Sequence, residues 1–382
     1  MKWETAKIRE ICFGIYDGPH ATPPVSEDGA IFLGISNITP DGHLDLSHPK
    51  YISENDFPKW TKRITPQPGD IVFSYEATLN LYAIIPKGFR GCLGRRMALI
   101  RPDEQKVLGK FLFYYFFSDE WRETIAKNTV VGATVDRISL IRFPDFPISF
   151  PSIKEQETIA NILSTYDALI ENNQKQIKLL EEAAQRLYKE WFVDLRFPGH
   201  ENVKIVDGVP EGWKKISLEQ VAPILTGKKD ANFSEKFGNY PFFTCAQAPL
   251  KAPSFSFDCD AVILAGNGDF NVKLYRGRFE AYQRTYILSP NDTELLYLLY
   301  HAVNNSMSKL VQGASGSTIK FLTRGMIANI LVYIPDKIIL EKFNGLSEGI
   351  QCQLENKKRI SANAKDARDR LLLKLMSGEI KV

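Results

Sequence analysis

The longest helical pattern of the chain begins with the residues Pro151-Ser152-Ile153-Lys154-Glu155. Ser152 can cap a helix, and Glu155 can complete a capping box with it. Apolar residues then recur every three or four positions as far as Trp191, and no proline interrupts them before Pro198. A helix of about 40 residues is roughly 60 Å long at about 1.5 Å per residue, which is too long to be buried by one compact domain. We therefore expect a helix that separates two other parts of the protein.

The same pattern occurs a second time near the C-terminus, shifted by the 184 residues that separate Pro151 from Pro335. Asp336 can cap this second helix. Upstream of the helices the shift grows, to 188 for Arg96 against Arg284. A period of this length indicates two whole domains, each followed by a helix, rather than a solenoid of short repeats.

Each helix carries an apolar stripe, and antiparallel packing of the two stripes is the simplest way to bury both. This predicts a pseudo-symmetric arrangement in which the two long antiparallel helices form a coiled coil. The alternative is that each helix folds back onto its own domain. The predicted helix-packing positions are Ile162, Tyr166, Leu169, Ile177, Leu180, Leu187, Trp191, Ile350, Leu354, Leu371 and Leu375.

The two domains alternate short apolar runs with Gly, Pro, Asn and Asp, which is typical of strands. The expected strands are Ile31–Ile35, Asp70–Tyr75, Met97–Ile100, Ala261–Leu264 and Thr285–Leu288, and the expected apolar helices are Phe111–Ile125 and Glu294–Val303. The predicted segments are a first mixed domain at 1–150, a helix at 151–198, a polar linker at 199–212, a second mixed domain at 213–335 and a second helix at 336–382. The predicted fold class is α+β, with two pseudo-symmetric mixed domains joined by the long helices.

The composition is that of an ordinary soluble globular protein, with 382 residues of which 44% are hydrophobic and 24% charged. The five cysteines include no Cys-x-x-Cys pair, which indicates reduced thiols. The N-terminus has no apolar export segment, and no apolar run is long enough to span a membrane. We therefore expect a cytoplasmic protein. Its net charge of +3 means that any nucleic-acid contact must come from local basic patches.

The sequence offers no convincing catalytic constellation. None of the five histidines has the spacing of a metal ligand or a catalytic base. The segment Gly88–Gly94 is rich in glycine but lacks the lysine and serine of a phosphate loop, so we expect it to connect strands. Asp103 and Glu104 lie side by side and lack the separation of a two-carboxylate metal site. We predict no catalytic residue and no metal ligand in this chain.

Polar loops recur at matched places in the two domains. Arg and Lys suit guanine and phosphate, Asn and Gln suit adenine, and Gly lets the backbone approach a DNA strand. We predict that these loops bind DNA, although each one taken singly also fits a plain solvated turn, and the symmetry also fits a shared fold. The candidate DNA-binding residues are His20, Thr22, Asn37, Tyr75, Thr78, Asn80, Arg95, Arg96, Thr134, Arg137, Lys228, Lys229, Gln247, Asn267, Asn271, Lys273, Arg276, Arg284, Thr318, Lys320 and Arg324.

The segments Trp191–Gly199 and Leu372–Ile380 close the two helices. In these segments and in its repeat of a mixed domain and a helix, the chain resembles the specificity subunit of type I restriction-modification enzymes over its whole length. The resemblance implies that each domain is a target recognition domain reading one half of a split, asymmetric sequence in double-stranded DNA. It also implies that the paired helices set the gap between the halves and present a platform for two methyltransferase subunits. Restriction subunits that translocate DNA are then added.

The resemblance further implies a subunit with no activity of its own. S-adenosylmethionine, ATP and Mg²⁺ then belong to the partner subunits, and this chain needs no cofactor. Two alternatives from other classes remain: a self-contained nuclease or methyltransferase with dispersed catalytic residues, and a duplicated adaptor that binds proteins but no DNA. The sequence leaves open whether a subunit without partners is monomeric or associates with itself through the helices.

Overall fold

The computed structural model describes residues 3–132, 134–316 and 319–382. The chain forms two compact units: unit 1 contains Met1–Asn172 and Ile360–Val382, and unit 2 contains Asn173–Arg359. Their boundaries fall inside the long helices, so each unit consists of one mixed domain and a part of each helix. In the part of the chain that the structure describes, no helix has the length and apolar character needed to cross a membrane.

Unit 1 is built from short strands and short helices that precede the first long helix. The strands are β1 (Glu4–Lys7), β2 (Cys12–Asp17), β3 (Ala30–Leu33), β4 (Lys50–Ile52), β5 (Ile71–Ser74), β6 (Tyr82–Ile84), β7 (Gly91–Leu93), β8 (Met97–Pro102), β9 (Thr129–Val130), β10 (Arg137–Ile138) and β11 (Pro147–Phe150), and the helices are α1 (Phe57–Trp60), α2 (Gly109–Tyr115) and α3 (Asp119–Asn128). An antiparallel sheet has the order β2-β8-β5-β6, and a second sheet has the order β4-β3-β7 with β3 and β7 parallel. Because β1 pairs with β11, the start of the chain lies beside the strand that leads into the long helix.

The first long helix, α4, spans Ile153–Tyr188. The Ser152 N–H donates to Glu155 Oε2 at 3.2 Å, and the Glu155 N–H donates to Ser152 Oγ at 3.4 Å, so the predicted capping box is confirmed. The helix continues as a π-helical turn at Lys189–Val193. It then stops because Leu195 adopts a left-handed backbone with a φ of 56°, before Pro198 is reached.

Unit 2 has its own mixed sheet, followed by the second long helix. Its strands are β12 (Ile205–Val206), β13 (Val209–Pro210), β14 (Lys214–Ser217), β15 (Ile224–Thr226), β16 (Tyr240–Phe243), β17 (Leu250–Ala252), β18 (Phe257–Ala265), β19 (Val272–Ala281), β20 (Thr285–Leu288) and β21 (Leu331–Ile334), and its helices are α5 (Leu218–Val221), α6 (Leu296–Gln312), α7 (Arg324–Ala328) and α8 (Lys337–Met376). Six strands form one sheet of order β15-β20-β18-β19-β16-β17, in which only β16 and β19 pair in parallel. The predicted linker contains the short hairpin β12-β13. Asp336 caps α8 as predicted, since its Oδ1 accepts the Ile339 N–H at 3.0 Å.

Side chains of both long helices belong to the core of each unit. In unit 1, Leu163 of α4 and Leu375 of α8 are fully buried in one cluster with Trp121 of α3. In unit 2, the ring of Phe343 on α8 lies 6.4 Å from that of Tyr188 at the end of α4. Further back on α4, Glu181 pairs at 3.1 Å with Lys358 of α8. The two helices therefore run antiparallel within unit 2, because a later residue of α4 contacts an earlier residue of α8.

One predicted packing position on α4 is wrong. Leu169 is 41% exposed, whereas its neighbour Ile170 is 6% exposed. The buried residues Leu163, Ile170, Ala184 and Trp191 lie seven residues or a multiple of seven apart, so the buried stripe repeats every seven residues and leaves Leu169 beside it.

The predicted helix at Phe111–Ile125 is two helices, α2 and α3. Ser118 interrupts the apolar run, and its Oγ accepts the Trp121 N–H at 3.2 Å as the cap of α3. Asp119 and Glu120 follow in the first turn, where the helix dipole favours negative charge. The apolar run therefore contains the sequence signals for the start of a second helix.

The expected strands of both domains are present, with small shifts at their ends. Residues Ile31–Ile35 are shared between β3 and a 3₁₀ turn at Ile35–Asn37. The segment Gly88–Gly94 is more than a connection, because Gly91–Leu93 is itself strand β7. The helix expected at Glu294–Val303 begins as a 3₁₀ turn and continues as α6 to Gln312.

Candidate nucleic-acid interface

In unit 1 the predicted DNA-binding loops meet at the end of β5. The Tyr75 N–H donates to the Arg96 carbonyl at 3.2 Å, and the Ile138 N–H donates to the Tyr75 carbonyl at 2.8 Å. These bonds join the loop after β5, the turn between β7 and β8, and the strand β10. Backbone bonding thus brings Tyr75, Arg95, Arg96 and Arg137 into one region.

Unit 2 repeats this backbone pattern with different residues. The Gly266 N–H donates to the Arg284 carbonyl at 2.8 Å, and the Leu322 N–H donates to the Gly266 carbonyl at 2.8 Å. Gly266 therefore occupies the place of Tyr75, and Arg284 that of Arg96. The second match is the one that the shift of 188 in the sequence predicts. We call this shared set of hydrogen bonds the loop frame.

A glycine fixes one more loop of the frame in each unit. The Gly18 N–H donates to the Met97 carbonyl at 3.0 Å, and the Gly227 N–H donates to the Thr285 carbonyl at 3.1 Å. A Cβ atom at either glycine would lie closer than 3.0 Å to a backbone carbonyl oxygen, so a side chain there would push the strands apart. These glycines begin the loops that carry His20, Thr22, Lys228 and Lys229.

Most candidate residues of unit 1 are accessible to a ligand. The exposed ones are His20, Thr22, Thr78, Arg95, Thr134 and Arg137, and Asn80 and Arg96 are half-buried. Among the residues that the structure describes, neither Arg95 nor Arg137 has a carboxylate within 4.0 Å, while Arg96 Nε lies 3.9 Å from Glu76 Oε2. His20 Nε2 lies 3.0 Å from Asp17 Oδ2.

Two candidates of unit 1 are engaged in holding loops. The Tyr75 ring is 6% exposed, and its hydroxyl donates to the Arg95 carbonyl at 3.1 Å. Burial raises the pKa of Tyr75 to about 12, so the hydroxyl keeps its proton at neutral pH. Asn37 is 8% exposed; its Oδ1 accepts the Gly34 N–H at 2.9 Å and its Nδ2 donates to the Asp45 carbonyl at 3.0 Å. Its amide is therefore used inside its own loop, and we remove Asn37 from the candidates.

In unit 2 the accessible candidates are basic or amide side chains. Lys228, Gln247, Arg284, Lys320 and Arg324 are exposed, and Lys229, Asn267, Asn271 and Lys273 are half-buried. Lys229 Nζ lies 4.3 Å from the centroid of the Phe233 ring, a cation–π contact. Thr318 lies outside the described residues.

A polar network ties two loops of unit 2 together. Lys273 Nζ donates to the Ala246 carbonyl at 2.8 Å and also bonds Asn271 Oδ1. Asn271 Nδ2 donates to the Cys245 carbonyl at 2.9 Å, and Cys245 Sγ lies 2.9 Å from Asn267 Oδ1. Burial lowers the pKa of Lys273. These side chains position the loops after β16 and β18 relative to each other.

Arg276 is also engaged within unit 2. Its Nε lies 3.5 Å from Asp260 Oδ2 and its Nη1 lies 3.8 Å from Glu348 Oε1. Its guanidinium carbon lies 5.1 Å from the centroid of the Tyr297 ring. These contacts hold the guanidinium against the fold and its carboxylates, so Arg276 is a weaker candidate than Arg284 or Arg324.

Unit 2 contains a recess that sequence reasoning did not predict. It has a volume of about 460 Å³ and is lined by Thr226, Gly266, Gln283, Arg284, Tyr286, Phe321, Leu322, Thr323 and Arg324. We call it the arginine recess. Its signal in the sequence is weak, because it depends on a glycine at the place where the first domain has Tyr75, and that match needs the loop frame.

The comparisons with known proteins agree on one family. Residues 2–182 and 210–363 match the family described as Type I restriction modification DNA specificity domain. The type I restriction enzyme EcoDI specificity subunit of Escherichia coli is 37% identical over 178 residues, and the chain spans 39% of that relative's length with 45% of its own. The MjaIX specificity subunit of Methanocaldococcus jannaschii is 25% identical over 100% of this chain and 94% of its own length.

A solved structure has the same fold. The crystal structure of the type I restriction-modification system S subunit from M. genitalium superposes with a TM-score of 0.62 at 17% identity, covering 98% of this chain and 96% of that one. The two family matches include both mixed domains and most of both long helices. The chain therefore belongs to the family of type I restriction-modification DNA specificity subunits.

Proposed function

We propose that this chain is the non-catalytic DNA-recognition subunit of a type I restriction-modification enzyme. In this proposal the mixed domains of unit 1 and unit 2 each read one half of a split, asymmetric target in double-stranded DNA. The observation that carries it is the loop frame, which is the same in both units although the side chains around it differ. One backbone frame with two sets of side chains suits two readers of different half-sites, because bases are read by side chains.

The charges around the frame support DNA as the ligand. Arg95 and Arg137 in unit 1 and Arg284 and Arg324 in unit 2 are exposed, and within the described residues none has a carboxylate within 4.0 Å. Unpaired guanidinium groups at a loop rim suit phosphate oxygens and guanine.

We propose that the long helices set the distance between the half-sites and carry the partner subunits. The 36 residues of α4 extend about 54 Å at about 1.5 Å per residue, or about 16 base pairs at about 3.4 Å each. Leu179 on α4 and Leu346 on α8 are 63% and 50% exposed and are available to a partner. The partners are two methyltransferase subunits, to which restriction subunits are added. S-adenosylmethionine, ATP and Mg²⁺ are bound by these partners.

Domain exchange tests the assignment of one half-site to each domain. Cells that contain the methyltransferase partner and this chain are compared by methylome sequencing with cells in which residues 1–150 come from a relative. We expect one half of the methylated sequence to change and the other half to stay. The reciprocal exchange of residues 213–335 should change only the second half. A change in both halves after either exchange would refute the assignment.

The same material separates the alternatives from other classes. A self-contained enzyme would methylate or cleave DNA as a purified chain, whereas we expect no product without the partners. An adaptor would show no binding of duplex DNA in a shift assay. For DNA recognition we expect binding whose affinity falls steeply with salt, because phosphate contacts release counterions.

A further inference from the structure

The arginine recess is the feature of unit 2 that DNA reading in general does not explain. Arg284 and Arg324 both line it, and both are exposed. They come from different parts of the chain, the turn before β20 and the start of α7, and the loop frame brings these parts together. Two cations on one cavity repel each other unless an anion lies between them.

Other arginines of unit 2 are paired with carboxylates. Arg276 Nε lies 3.5 Å from Asp260 Oδ2, and Arg278 Nε donates to Asp258 Oδ2 at 3.0 Å. Within residues 3–132, 134–316 and 319–382, no carboxylate lies within 4.0 Å of Arg284 or Arg324. The recess therefore presents two cations whose charge the described part of the chain does not neutralise.

The recess lies where the two halves of the chain differ at one position of the loop frame. In unit 1 this position is Tyr75, whose ring is buried. In unit 2 it is Gly266, which lines the recess and has no side chain. A Cβ atom there would lie 2.5 Å from the Arg284 carbonyl oxygen and 2.9 Å from the Tyr286 ring, so glycine allows the loops to pack this closely.

The geometry points to a backbone phosphate of the DNA as the occupant of the arginine recess. This inference rests on the proposed function of unit 2. Base edges lie on the floor of the major groove, which is about 8.5 Å deep, whereas phosphates protrude from the duplex and can enter a concave site. Guanidinium groups bind phosphate oxygens with paired N–H donors, and they do so more strongly than neutral donors.

The rest of the lining fits a phosphate. Thr323 Oγ1 accepts the Met326 N–H at 3.4 Å, which leaves its hydroxyl proton available, and Thr226 also lines the recess. The rings of Tyr286 and Phe321 form apolar walls, and Tyr286 is held by its hydroxyl, which donates to the Leu322 carbonyl at 2.9 Å. The second half-site is therefore anchored by one phosphate contact that the first domain, with Tyr75, does not make in this way.

The test uses the full chain with its methyltransferase partner on the duplex found by methylome sequencing. Arg284→Gln and Arg324→Gln are compared with Arg278→Gln, which removes the same charge from a guanidinium that Asp258 already holds. Affinity is measured against salt concentration on the specific duplex and on a random duplex. Single neutral methylphosphonates are then placed along the half-site that the second domain reads. Thermal unfolding of each variant confirms that it is folded.

We expect the double variant Arg284→Gln with Arg324→Gln to reduce the slope of log K against log salt by about 0.9, and each single variant to reduce it by a part of this amount. Each of these variants should weaken specific and random binding by a similar factor. One methylphosphonate should weaken the wild type and leave the double variant unaffected, while Arg278→Gln should keep the wild-type slope.

An unchanged slope in both recess variants would overturn the inference. So would a relaxed preference at one base pair together with loss of wild-type binding on 7-deazaguanine, since that would make the arginines base readers. Both results differ from failure of the proposed function itself, in which the wild-type complex would not prefer the mapped duplex to a random one.

Discussion

Replacing Arg368 of α8 by methionine should destabilise unit 1 by about 3 kcal/mol. Arg368 is 7% exposed, and its Nη1 lies 2.6 Å from Asp167 Oδ1 on α4. Its Nη2 lies 2.8 Å from Asp369 Oδ1, and the Tyr114 hydroxyl donates to the same Asp167 carboxylate. Arg368 thus joins both long helices and α2 inside unit 1.

The magnitude follows from what the substitution leaves behind. Methionine retains much of the apolar packing of the arginine stem but removes the charge, so Asp167 keeps only the Tyr114 hydroxyl among these partners. Loss of one member of a buried pair costs about 3–5 kcal/mol, and the side chain of Asp167 is 19% exposed, which favours the lower end. Changing both residues, as Asp167→Asn with Arg368→Met, removes the uncompensated charge and should recover about 2 kcal/mol or more.

Hydrogen exchange of residues 153–172 in increasing urea reports the opening of unit 1 and avoids the assumption that both units unfold together. Lys358→Met is the matched control, because Lys358 Nζ pairs with Glu181 Oε1 at 3.1 Å with both side chains about half exposed. Its cost should stay below about 1 kcal/mol. A cost of Arg368→Met no larger than that of this control, or a double variant as unstable as the single one, would refute the role of Arg368 in this buried pair.

Two further predictions concern unit 2. Burial lowers the pKa of His301 from 6.5 to about 4, so the unfolded chain binds the extra proton and unit 2 should lose stability, by up to about 3 kcal/mol, as the pH falls from 6.5 towards 4. Melting curves at pH 7 and pH 5 should show a smaller acid loss for His301→Phe than for the wild type, and an equal loss would contradict the assignment. Gly227→Ala should destabilise unit 2 by about 1–3 kcal/mol and weaken DNA binding, because its Cβ would lie closer than 3.0 Å to a carbonyl oxygen. Gly349→Ala in α8, where a Cβ meets nothing within 4 Å, should instead stabilise by about 0.5–1 kcal/mol, and thermal shifts of the same sign for both glycine variants would exclude the close approach at Gly227.

The long helices could be predicted because their signals are local. A capping residue and a repeating apolar stripe both act over one or two turns, so they are visible in the sequence around Ser152 and Asp336. The position of the stripe was harder to predict. A straight helix has a period of 3.6 residues and a paired one a period of 3.5, so the choice between Leu169 and Ile170 depends on the partner helix.

The break between α2 and α3 shows a different limit. The run Phe111–Ile125 is apolar enough to continue as one helix, and Ser118 is tolerated inside many helices. Whether the run forms one helix or two depends on the core, where Trp121 Nε1 donates to the Tyr82 hydroxyl at 2.8 Å. A contact between residues so far apart in sequence leaves no local pattern.

The candidate site was predictable as a set of loops but not as a set of roles. Asn37 and Arg95 are both polar loop residues, yet the first is used by its own loop and the second is exposed. Composition cannot distinguish these uses, because they depend on which backbone groups a fold leaves unpaired. The arginine recess could not be predicted from the sequence for a similar reason, since Gly266 has no side chain that would mark it as part of a site.

The loop frame offers a physical reason why one fold can serve two different readers. Its bonds at Tyr75 and Gly266 are made by backbone N–H and carbonyl groups, so neither the Tyr75 ring nor the missing side chain of Gly266 takes part in them. In unit 1 a side chain at this position can therefore change what the rim presents to DNA without breaking a hydrogen bond of the fold. Gly266 has no such freedom, because a Cβ there would lie 2.5 Å from the Arg284 carbonyl oxygen, and a Cβ at Gly18 or Gly227 would likewise meet backbone. Variation that changes the recognised sequence at small cost in stability should thus concentrate at Tyr75 and on the exposed arginines of both rims, while these three closely packed glycines stay fixed.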